Sequence, residues 1–501
     1  MDKSVEQIQN FKGKYPPQLW SLFFSEMWER FCFYGMRGML TFFMIHQLGY
    51  NEVEANLQYG ASQSFVYAFT FIGGLFADKI LGYRRSLFWG GLLMIVGSII
   101  LAIDPKEFFF MGIGFNIIGT AFFKPNISSM VGRLYKDSDP RTDAGFSLFY
   151  AGVNLGAFIG GILCINIGKR EYFQKMIPAG MEWNVAFGLA AVVMMISLVT
   201  FIFTQKSLGS IGNSPIMHLA PVRRKLYEYS TFIGSLVAIP IVVVMVSKTE
   251  YTDMFMFIIG PASLVYLIYE MRNYSLEENK KLIAAIFFMI FSIFFWAFFE
   301  QSGGSLSIFA DNNLHNSIFG IEVDANGANN SVNSLFVIAF AAPLGILWLL
   351  IGKKKLEPNT IVKFGLGFLF LAAGFYVFYY TRLFSDENGM TSLGVFTFGW
   401  FVITLGELCL SPIGMSIMTK LSPVKLQAVV MGMWFLASAY GQYFAGLLGA
   451  NIAEASGNAS NAEKFLIYTE GYKQLGIYAL VIGAVMLAIS PFIKKLMGEV
   501  K

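Results

Sequence analysis

Residues 19–48 of this 501-residue chain read LWSLFFSEMWERFCFYGMRGMLTFFMIHQL. The stretch is long enough to cross a bilayer, which takes about 20 mostly apolar residues, yet it contains Glu26, Glu29, Arg30 and Arg37. The helical repeat places Glu26, Arg30 and Arg37 on one face. Because a charge at bilayer depth costs at least about 2.5 kcal/mol, we expect this face to line a water-filled cavity or to meet partners on other helices. The alternative is a static salt-bridge cluster at a helix end.

The composition of the whole chain indicates a membrane protein. Hydrophobic residues make up 55% of the chain and charged residues only 14%, whereas a soluble domain has about 25% charged residues. These charges are too few to cover a water-facing surface, so we expect the apolar residues to face lipid. Met1–Pro17 has no short apolar core followed by a small-residue cleavage site, and we therefore expect no cleaved signal peptide.

The apolar runs predict an all-α membrane protein. We count about fourteen runs long enough to span a bilayer, arranged as two six-helix bundles with two extra helices between them. Two such halves are typical of secondary transporters with a binding site near the membrane midplane. The predicted domains are the bundle of residues 1–205, the linker and extra helix pair of residues 206–280, and the bundle of residues 281–501. The predicted spans are Leu19–Leu48, Leu57–Ala77, Ser86–Ile103, Phe108–Val131, Ala144–Ile167, Val185–Thr204, Leu226–Val246, Met254–Tyr269, Leu282–Gln301, Val332–Ile351, Ile361–Tyr380, Leu393–Met418, Leu426–Ile452 and Tyr472–Ile493.

Basic residues are distributed unevenly among the connecting segments. With the N-terminus in the cytoplasm, the clusters Arg223–Lys225, Lys280–Lys281 and Lys494–Lys495 fall on the cytoplasmic side, as the positive-inside rule requires. An even number of spans then places both termini in the cytoplasm. We therefore expect a multi-pass protein of the cell inner membrane.

Polar residues also occur within five later runs. Lys124, Glu300 and Glu407 are charged, and Asn154 and Asn333 lie on further helices. With the first run included, three basic and four acidic side chains lie in the membrane, a mixture that suits a zwitterionic substrate with one ammonium and one carboxylate group. Carboxylates in an apolar cavity can take up protons near neutral pH, which is the physical requirement for proton coupling.

Helix-breaking residues accompany these later charges. Pro125 directly follows the lysine, Gly303–Gly304 follows the first of the two later glutamates, and Ser411–Pro412 follows the second. Prolines and glycine pairs are candidate bending points for a conformational change. Ordinary irregularity of a membrane helix explains each of them equally well.

Aromatic residues on the same helices are candidates for the walls of a pocket. One tryptophan lies one turn before Glu300, and another lies one turn before Ser438 in a glycine-rich run. Aromatic residues in membrane proteins more often pack or face lipid, so the packing alternative stays open. The four candidates are Tyr34, Tyr67, Trp296 and Trp434.

Other classes of function lack their signatures. The sequence has no GxxxxGK[ST] phosphate loop, no HExxH motif and no G-x-S-x-G elbow. The three cysteines lie in apolar runs and suggest no metal site, so we expect no cofactor other than a coupling proton. The basic residues form no stripe that would bind nucleic acid. A selective channel has a ring of like groups. The charges of mixed sign and the broken helices therefore suit a transporter that works by alternating access better than a channel.

These residues resemble the signatures of the proton-dependent oligopeptide transporter (POT) family, a branch of the major facilitator superfamily. The ExxER signature is matched by Glu26, Glu29 and Arg30, and the FKPN signature by Phe123–Asn126. The extra helix pair is typical of bacterial members. Further similar stretches, which extend the resemblance over nearly the whole chain, are Gly74–Arg85 with Asp78 as its acid, Phe149–Gly156, Phe294–Gln301 and Gly406–Pro412.

The resemblance implies a role for each buried polar residue. Arg37 and Lys124 would hold the carboxylate of a peptide. Glu300 would pair with Arg37 and exchange a proton, Glu407 would pair with Lys124, and the ExxER group would take part in proton coupling. The amino group of the peptide would be held by Asn154, Asn333 and Glu407. The side-chain pockets would be shaped by Tyr34, Tyr67, Trp296, Trp434 and Ser438.

The resemblance therefore implies a proton-coupled symporter that imports di- and tripeptides by alternating access. We expect it to function as a monomer in the lipid bilayer. The alternative is the same fold and proton coupling with a non-peptide substrate, such as nitrate, an amino-acid conjugate or a drug-like solute. Two departures from the family pattern concern substrate preference. Phe33 stands where many members have tyrosine, and Ser334 follows Asn333 where proline is expected.

Overall fold

The computed structural model describes residues 4–136, 139–169, 176–354, 356–410, 414–457 and 459–499. These ranges are almost entirely helical. The first helices are α1 (Val5–Gln9), α2 (Pro17–His46), α3 (Glu52–Phe76), α4 (Tyr83–Ile103), α5 (Phe109–Arg133), α6 (Thr142–Lys169), α7 (Glu182–Thr204), α8 (Pro221–Ser247) and α9 (Thr249–Glu270). They are followed by α10 (Leu276–Phe299), α11 (Ser305–Asn313), α12 (Ala325–Lys353), α13 (Thr360–Tyr380), α14 (Leu393–Leu410), α15 (Gly414–Leu421), α16 (Gln427–Ser456) and α17 (Asn461–Met497). Between α11 and α12 lies an antiparallel hairpin of β1 (Ser317–Ile318) and β2 (Ile321–Glu322).

Most of the helices are long enough to span a bilayer. In the described part of the chain, eleven spans are both long and apolar enough to cross a membrane, and α10 with α11 forms one of them. Helices α2, α5 and α16 are also at least 25 residues long, and α2 and α5 carry the charges singled out above. Each predicted run overlaps a long helix. The prediction of an all-α membrane protein is confirmed. Within the described ranges, β structure is confined to the short hairpin and an isolated bridge between Leu314 and Thr391.

Helix α12 begins earlier than the hydropathy pattern predicts. Its first residue is Ala325, whereas the apolar run begins at Val332. The Asp324 carboxylate caps this end and accepts a hydrogen bond from the Gly327 backbone N–H at 2.5 Å. A cap satisfies one of the free N–H groups of a first helical turn, so the polar segment before the apolar run is helical instead of looped.

Contacts within the chain define two compact units. The first comprises Met1–Leu40 and Phe65–Lys248, and the second comprises Thr41–Ser64 and Thr249–Lys501. Helices α2 and α3 therefore contribute to both units. The division into bundles of residues 1–205 and 281–501 with an intervening helix pair stays a prediction.

In the first unit, helix α6 packs against α2 through a row of glycines. Gly152, Gly156 and Gly160 recur at every fourth position, and small residues at this spacing let two helix backbones approach closely. The approach is closest at Gly156, where an added Cβ would lie 2.0 Å from the Met27 carbonyl oxygen. Met27 adjoins Glu26, so this packing fixes the part of α2 that carries its buried charges.

Replacing Gly156 with alanine is expected to lower the free energy of unfolding by about 1–3 kcal/mol, because the new methyl group overlaps a backbone oxygen that cannot rotate away. The matched control is Gly234→Ala on α8, where an added Cβ meets nothing within 4 Å. That change should be neutral or slightly stabilising, because alanine favours the helix more than glycine does. Titration with sodium dodecyl sulfate in mixed micelles measures both variants, and equal effects would contradict the packing interpretation.

The linker that follows α7 is held against the first unit. Ser214 Oγ donates a hydrogen bond to the Ile80 carbonyl at 2.6 Å, and the Arg84 backbone N–H donates to the Gly212 carbonyl at 3.1 Å. Ile80 lies in the connection between α3 and α4, and Arg84 lies in the first turn of α4. Both belong to Gly74–Arg85, one of the stretches that resemble the family. The polar linker is therefore an ordered part of this unit.

The second unit has its own apolar core. Helix α13 packs against α14 and α17, and α10 packs against α16. Aromatic rings fill the space between them, as in the stacked pair Phe378–Phe396 with centroids 4.7 Å apart and the edge-on pair Phe309–Tyr472 at 5.4 Å. This core holds the three helices that carry the acidic and amide groups of the second half, α10, α12 and α14.

Candidate functional site

The charges of α2 form a compact ion-pair cluster inside the first unit. Arg30 binds Glu29 through two hydrogen bonds, one from Nε and one from Nη2 to Oε1 at 2.6 Å. Arg30 Nε also lies 3.1 Å from Glu26 Oε1. All three side chains are at most 4% exposed. The other oxygen, Glu26 Oε2, is buried and has no hydrogen-bond partner within the described ranges.

Lys124 on α5 belongs to the same charged region. Its Nζ lies 4.2 Å from the centroid of the Tyr67 ring, within the range of a cation–π interaction. The ammonium group also interacts electrostatically with Arg30, Glu29 and Glu26. Helix α5 remains continuous through Pro125. The structure therefore brings Lys124 together with Glu26, Glu29 and Arg30 in one unit, a proximity that the sequence analysis did not predict.

Arg37 lies two helical turns after Arg30 on α2. Its guanidinium carbon is 5.6 Å from the centroid of the Tyr34 ring, and the side chain is buried. Asn154 on α6 is also buried, and its Nδ2 donates to the Tyr150 carbonyl of its own helix at 2.9 Å. Phe33 stacks with Arg30 at 5.0 Å, so the residue that departs from the family pattern packs on the ion-pair cluster.

Glu300 lies where the α10 span is interrupted. Helix α10 ends at Phe299, and Glu300–Gly303 forms a 3-10 turn before α11 begins at Ser305. The side chain of Glu300 is 3% exposed. The glycine pair at 303–304 thus marks a real break in the helix, as the sequence predicts.

Glu407 on α14 is paired with an amide from α12. Asn333 Nδ2 donates to Glu407 Oε2 at 2.8 Å and to Thr404 Oγ1 at 3.1 Å. Both acceptors face α12 from one side of α14. The two residues predicted to hold an amino group in this half are therefore in direct contact. The predicted break at Ser411–Pro412 lies outside the described residues.

The two candidate tryptophans pack closely in the second unit. Trp296 is half-buried against Gly441, where an added Cβ would lie 2.5 Å from the tryptophan Cβ. The indole ring of Trp434 packs on Gly414, where an added Cβ would lie 2.2 Å from Cζ2. Ser438 Oγ donates to the Trp434 carbonyl at 3.4 Å. The contribution of these three residues to a substrate pocket stays a prediction.

Two residues of this region, Asn329 and Trp400, were not singled out from the sequence. Asn329 accepts a hydrogen bond from Trp400 Nε1 at 3.1 Å and donates to the Ser302 carbonyl at 2.7 Å. Sequence reasoning missed Asn329 because it lies before the apolar run, in a segment that resembles a loop. The available signal was its spacing of one helical turn from Asn333, together with the capping aspartate at 324.

Comparison with known proteins identifies the family. The sequence profile of the POT family matches residues 84–465. The chain belongs to the POT family. Similar proteins include the peptide transporter YePEPT of Yersinia enterocolitica, which is 31% identical over 97% of this chain and 96% of that protein. Dipeptide and tripeptide permease B of Xenorhabdus bovienii is 26% identical over 97% of both chains.

Solved POT structures have the same fold. A peptide transporter POT in complex with sulfate is 32% identical to this chain, with a TM-score of 0.82 over 99% of both chains. A POT family transporter in complex with 5-aminolevulinic acid is 31% identical, with a TM-score of 0.81 over 98% of this chain and 100% of that one. The predicted fold is confirmed, and this POT chain is a multi-pass membrane transporter.

Proposed function

We propose that this POT protein imports di- and tripeptides together with protons by alternating access. The observation that carries the proposal is the Asn333–Glu407 pair, a carboxylate and an amide 2.8 Å apart in the interior of the second unit. Their oxygens suit an ammonium group, which every di- and tripeptide has at its N-terminus. The similar proteins named peptide transporter and dipeptide and tripeptide permease support this substrate class.

The basic residues supply the complementary chemistry. We assign the carboxylate of the peptide to Arg37 and Lys124, whose charges lie beside Tyr34 and Tyr67. Asn154 joins the residues that hold the amino group. The side-chain pockets are assigned to Tyr34, Tyr67, Trp296, Trp434 and Ser438.

Proton coupling is assigned to Glu300 and to the cluster of Glu26, Glu29 and Arg30. A charged Glu300 pairs with Arg37 in the transport cycle, and protonation releases Arg37 for the peptide carboxylate. The lone Glu26 oxygen described above gives the cluster a position for a second proton. These assignments rest on the family resemblance and on the burial of each carboxylate.

The proton gradient supplies enough free energy for uptake without ATP. One charge that moves through about 100 mV gains about 2.3 kcal/mol, and one pH unit adds about 1.4 kcal/mol. The sum of about 3.7 kcal/mol supports roughly several-hundred-fold accumulation per proton. We therefore propose that the coupling proton is the sole cofactor and that the protein catalyses no chemical reaction on its substrate.

The membrane setting follows from the charge distribution. We propose that the chain lies in the inner membrane with both termini in the cytoplasm, because that orientation places the basic clusters on the cytoplasmic side. Each unit has its own packed core, and we propose that a single chain transports.

A small amino acid is a second candidate substrate. A similar POT family transporter was solved with 5-aminolevulinic acid, which has an ammonium and a carboxylate group as a peptide does. Nitrate has no group that would bind beside the Glu407 carboxylate, so the Asn333–Glu407 pair disfavours it.

Competition for uptake of labelled dialanine in proteoliposomes tests the substrate class. Unlabelled dialanine and trialanine should compete strongly under an inward proton gradient, whereas N-acetyl-dialanine should compete at least about tenfold more weakly because it has no ammonium group. Equal competition by the acetylated peptide or by nitrate would contradict the proposal. Stronger competition by 5-aminolevulinic acid than by any peptide would favour the second candidate.

A further inference from the structure

The 3-10 turn that carries Glu300 is held from several sides within the second unit. Its Ser302 carbonyl, which the interruption of the helix frees, accepts a hydrogen bond from Asn329 Nδ2 at 2.7 Å. Gly303 lies so close to Tyr59 that an added Cβ would be 2.0 Å from the phenol oxygen, and its carbonyl accepts from Thr41. The turn therefore has little freedom to move without moving its hydrogen-bond partners.

Asn329 uses both ends of its amide. While Nδ2 binds the turn, Oδ1 accepts a hydrogen bond from Trp400 Nε1 on α14 at 3.1 Å. Asn329 and Trp400 are each 1% exposed, so water does not compete for these bonds. Trp400 also packs edge-on against Phe299, the residue before Glu300, with ring centroids 5.8 Å apart.

The hydrogen bonds continue from Trp400 to Glu407. The Trp400 carbonyl accepts from Thr404 Oγ1 at 2.7 Å, and Asn333 Nδ2 binds both Thr404 and Glu407. Asn329 and Asn333 are one helical turn apart on α12, and Trp400 and Thr404 are one turn apart on α14. Two adjacent sets of hydrogen bonds therefore connect α12 to α14, one at Asn329 and one at Asn333. The hydrogen bonds of Asn329 also reach the turn of Glu300.

We propose that Asn329 is a positioning residue that couples the Glu300 turn to the helix that carries Glu407. The inference rests on the proposed function, in which Glu300 exchanges a proton and Glu407 binds the amino group of the peptide. A change in the turn moves the Ser302 carbonyl, and Asn329 moves with it because its Nδ2 donates a hydrogen bond to that carbonyl. Trp400 then moves as well, because its Nε1 donates a hydrogen bond to Asn329 Oδ1. The amino-group site thereby responds to the state of the proton site inside one unit.

The test replaces Asn329 with aspartate and with leucine. A protonated aspartic acid has nearly the shape of asparagine and donates one hydrogen bond while it accepts another, whereas the charged form has no donor for the Ser302 carbonyl. Leucine has neither group. The Glu300 turn, α14, α12 with its cap, and α11, which packs against α12, carry the charged and titratable groups around Asn329. These groups are Glu300, Glu407, Cys409, Asp324, Lys353 and Asp311, and all of them are present in every variant.

The control is Asn330→Asp, one residue along the same helix. The Asn330 amide bonds only to Asn326 of its own helix among the described residues, at 3.0 Å. This variant places the same new carboxyl group on α12 outside the proposed connection. Each purified variant is first required to elute as wild type does from a size-exclusion column.

Proton-driven uptake of dialanine is then measured in mildly acidic and mildly alkaline buffer. We expect Asn329→Leu to be at least about tenfold slower than the control in both buffers. Asn329→Asp should match Asn329→Leu in alkaline buffer and recover at least about tenfold in acidic buffer, where a buried carboxyl group takes up a proton.

Two results would overturn the inference. In the first, Asn329→Asp takes up dialanine at the same rate as Asn329→Leu in both buffers. In the second, both variants take up dialanine at the rate of the Asn330→Asp control. Either result would show that the hydrogen bonds of Asn329 carry no function. If wild type and the Asn330→Asp control transport no dialanine, the proposed function fails instead. The two failures are therefore distinguishable.

Discussion

Replacing Glu300 with glutamine is expected to abolish proton-driven accumulation of dialanine and to leave peptide exchange intact. Glutamine has nearly the size of glutamic acid but cannot take up or release a proton, so the variant remains in the state that resembles protonated Glu300. The accumulation ratio should fall from roughly several hundred to about one under a gradient of one pH unit and 100 mV. Exchange of labelled for unlabelled dialanine, which needs no net proton movement, should continue at a rate close to that of wild type.

The control for this prediction is Glu322→Gln. Glu322 lies in β2 and is exposed, so the same chemical change there should alter neither accumulation nor exchange. Accumulation by Glu300→Gln at the wild-type level would exclude Glu300 as the coupling group. Loss of both activities would instead mean that the carboxylate is needed for binding, and the coupling role would then fall to the cluster on α2.

Replacing Arg30 with methionine is expected to lower the free energy of unfolding by about 3–5 kcal/mol, because it leaves Glu29 and Glu26 buried without their cation. Arg85→Met is the matched control. Arg85 also forms an ion pair with a glutamate, Glu228, but its side chain is 45% exposed, and exposed pairs contribute at most about 1 kcal/mol. Unfolding in mixed micelles by sodium dodecyl sulfate should separate the two variants clearly, and equal losses would contradict the buried geometry of the cluster.

The same cluster has a second test that addresses the static alternative. A triple variant, Glu26→Gln and Glu29→Gln with Arg30→Met, removes both unpaired carboxylate charges and should recover much of the lost stability. If the cluster serves structure alone, proton-driven uptake should recover with stability. We expect uptake to stay low, because the group of Glu26, Glu29 and Arg30 takes part in proton coupling.

The fold was predictable because lipid imposes a simple pattern. Each membrane helix needs about 20 apolar residues, and the runs in the sequence fall on the long helices of the structure. The ends were less predictable where a helix extends beyond its apolar run. Helix α17 begins at Asn461 and not at Tyr472, since Ser460 and Glu463 form a capping box that stabilises a polar first turn.

The site was predictable in part. Charges inside apolar runs are costly and therefore conspicuous, and this singled out Glu26, Glu29, Arg30, Lys124 and Glu407. The contacts between them depend on how helices pack, which hydropathy does not encode. Neutral polar groups were harder to find, because the hydropathy pattern hardly distinguishes an amide that is buried with its hydrogen bonds satisfied from one that is exposed. Asn329 and Trp400 are the clearest examples, since their importance follows from hydrogen bonds that join three helical segments.

The most direct test of proton-coupled peptide import measures both fluxes at once. Wild-type protein is reconstituted into vesicles that contain a pH-sensitive dye, and labelled dialanine is added outside without any imposed gradient. We expect the vesicle interior to acidify as dialanine enters. Vesicles that lack the protein should show neither dialanine entry nor acidification. Entry of dialanine without acidification would contradict proton coupling, and the absence of both would contradict peptide transport itself.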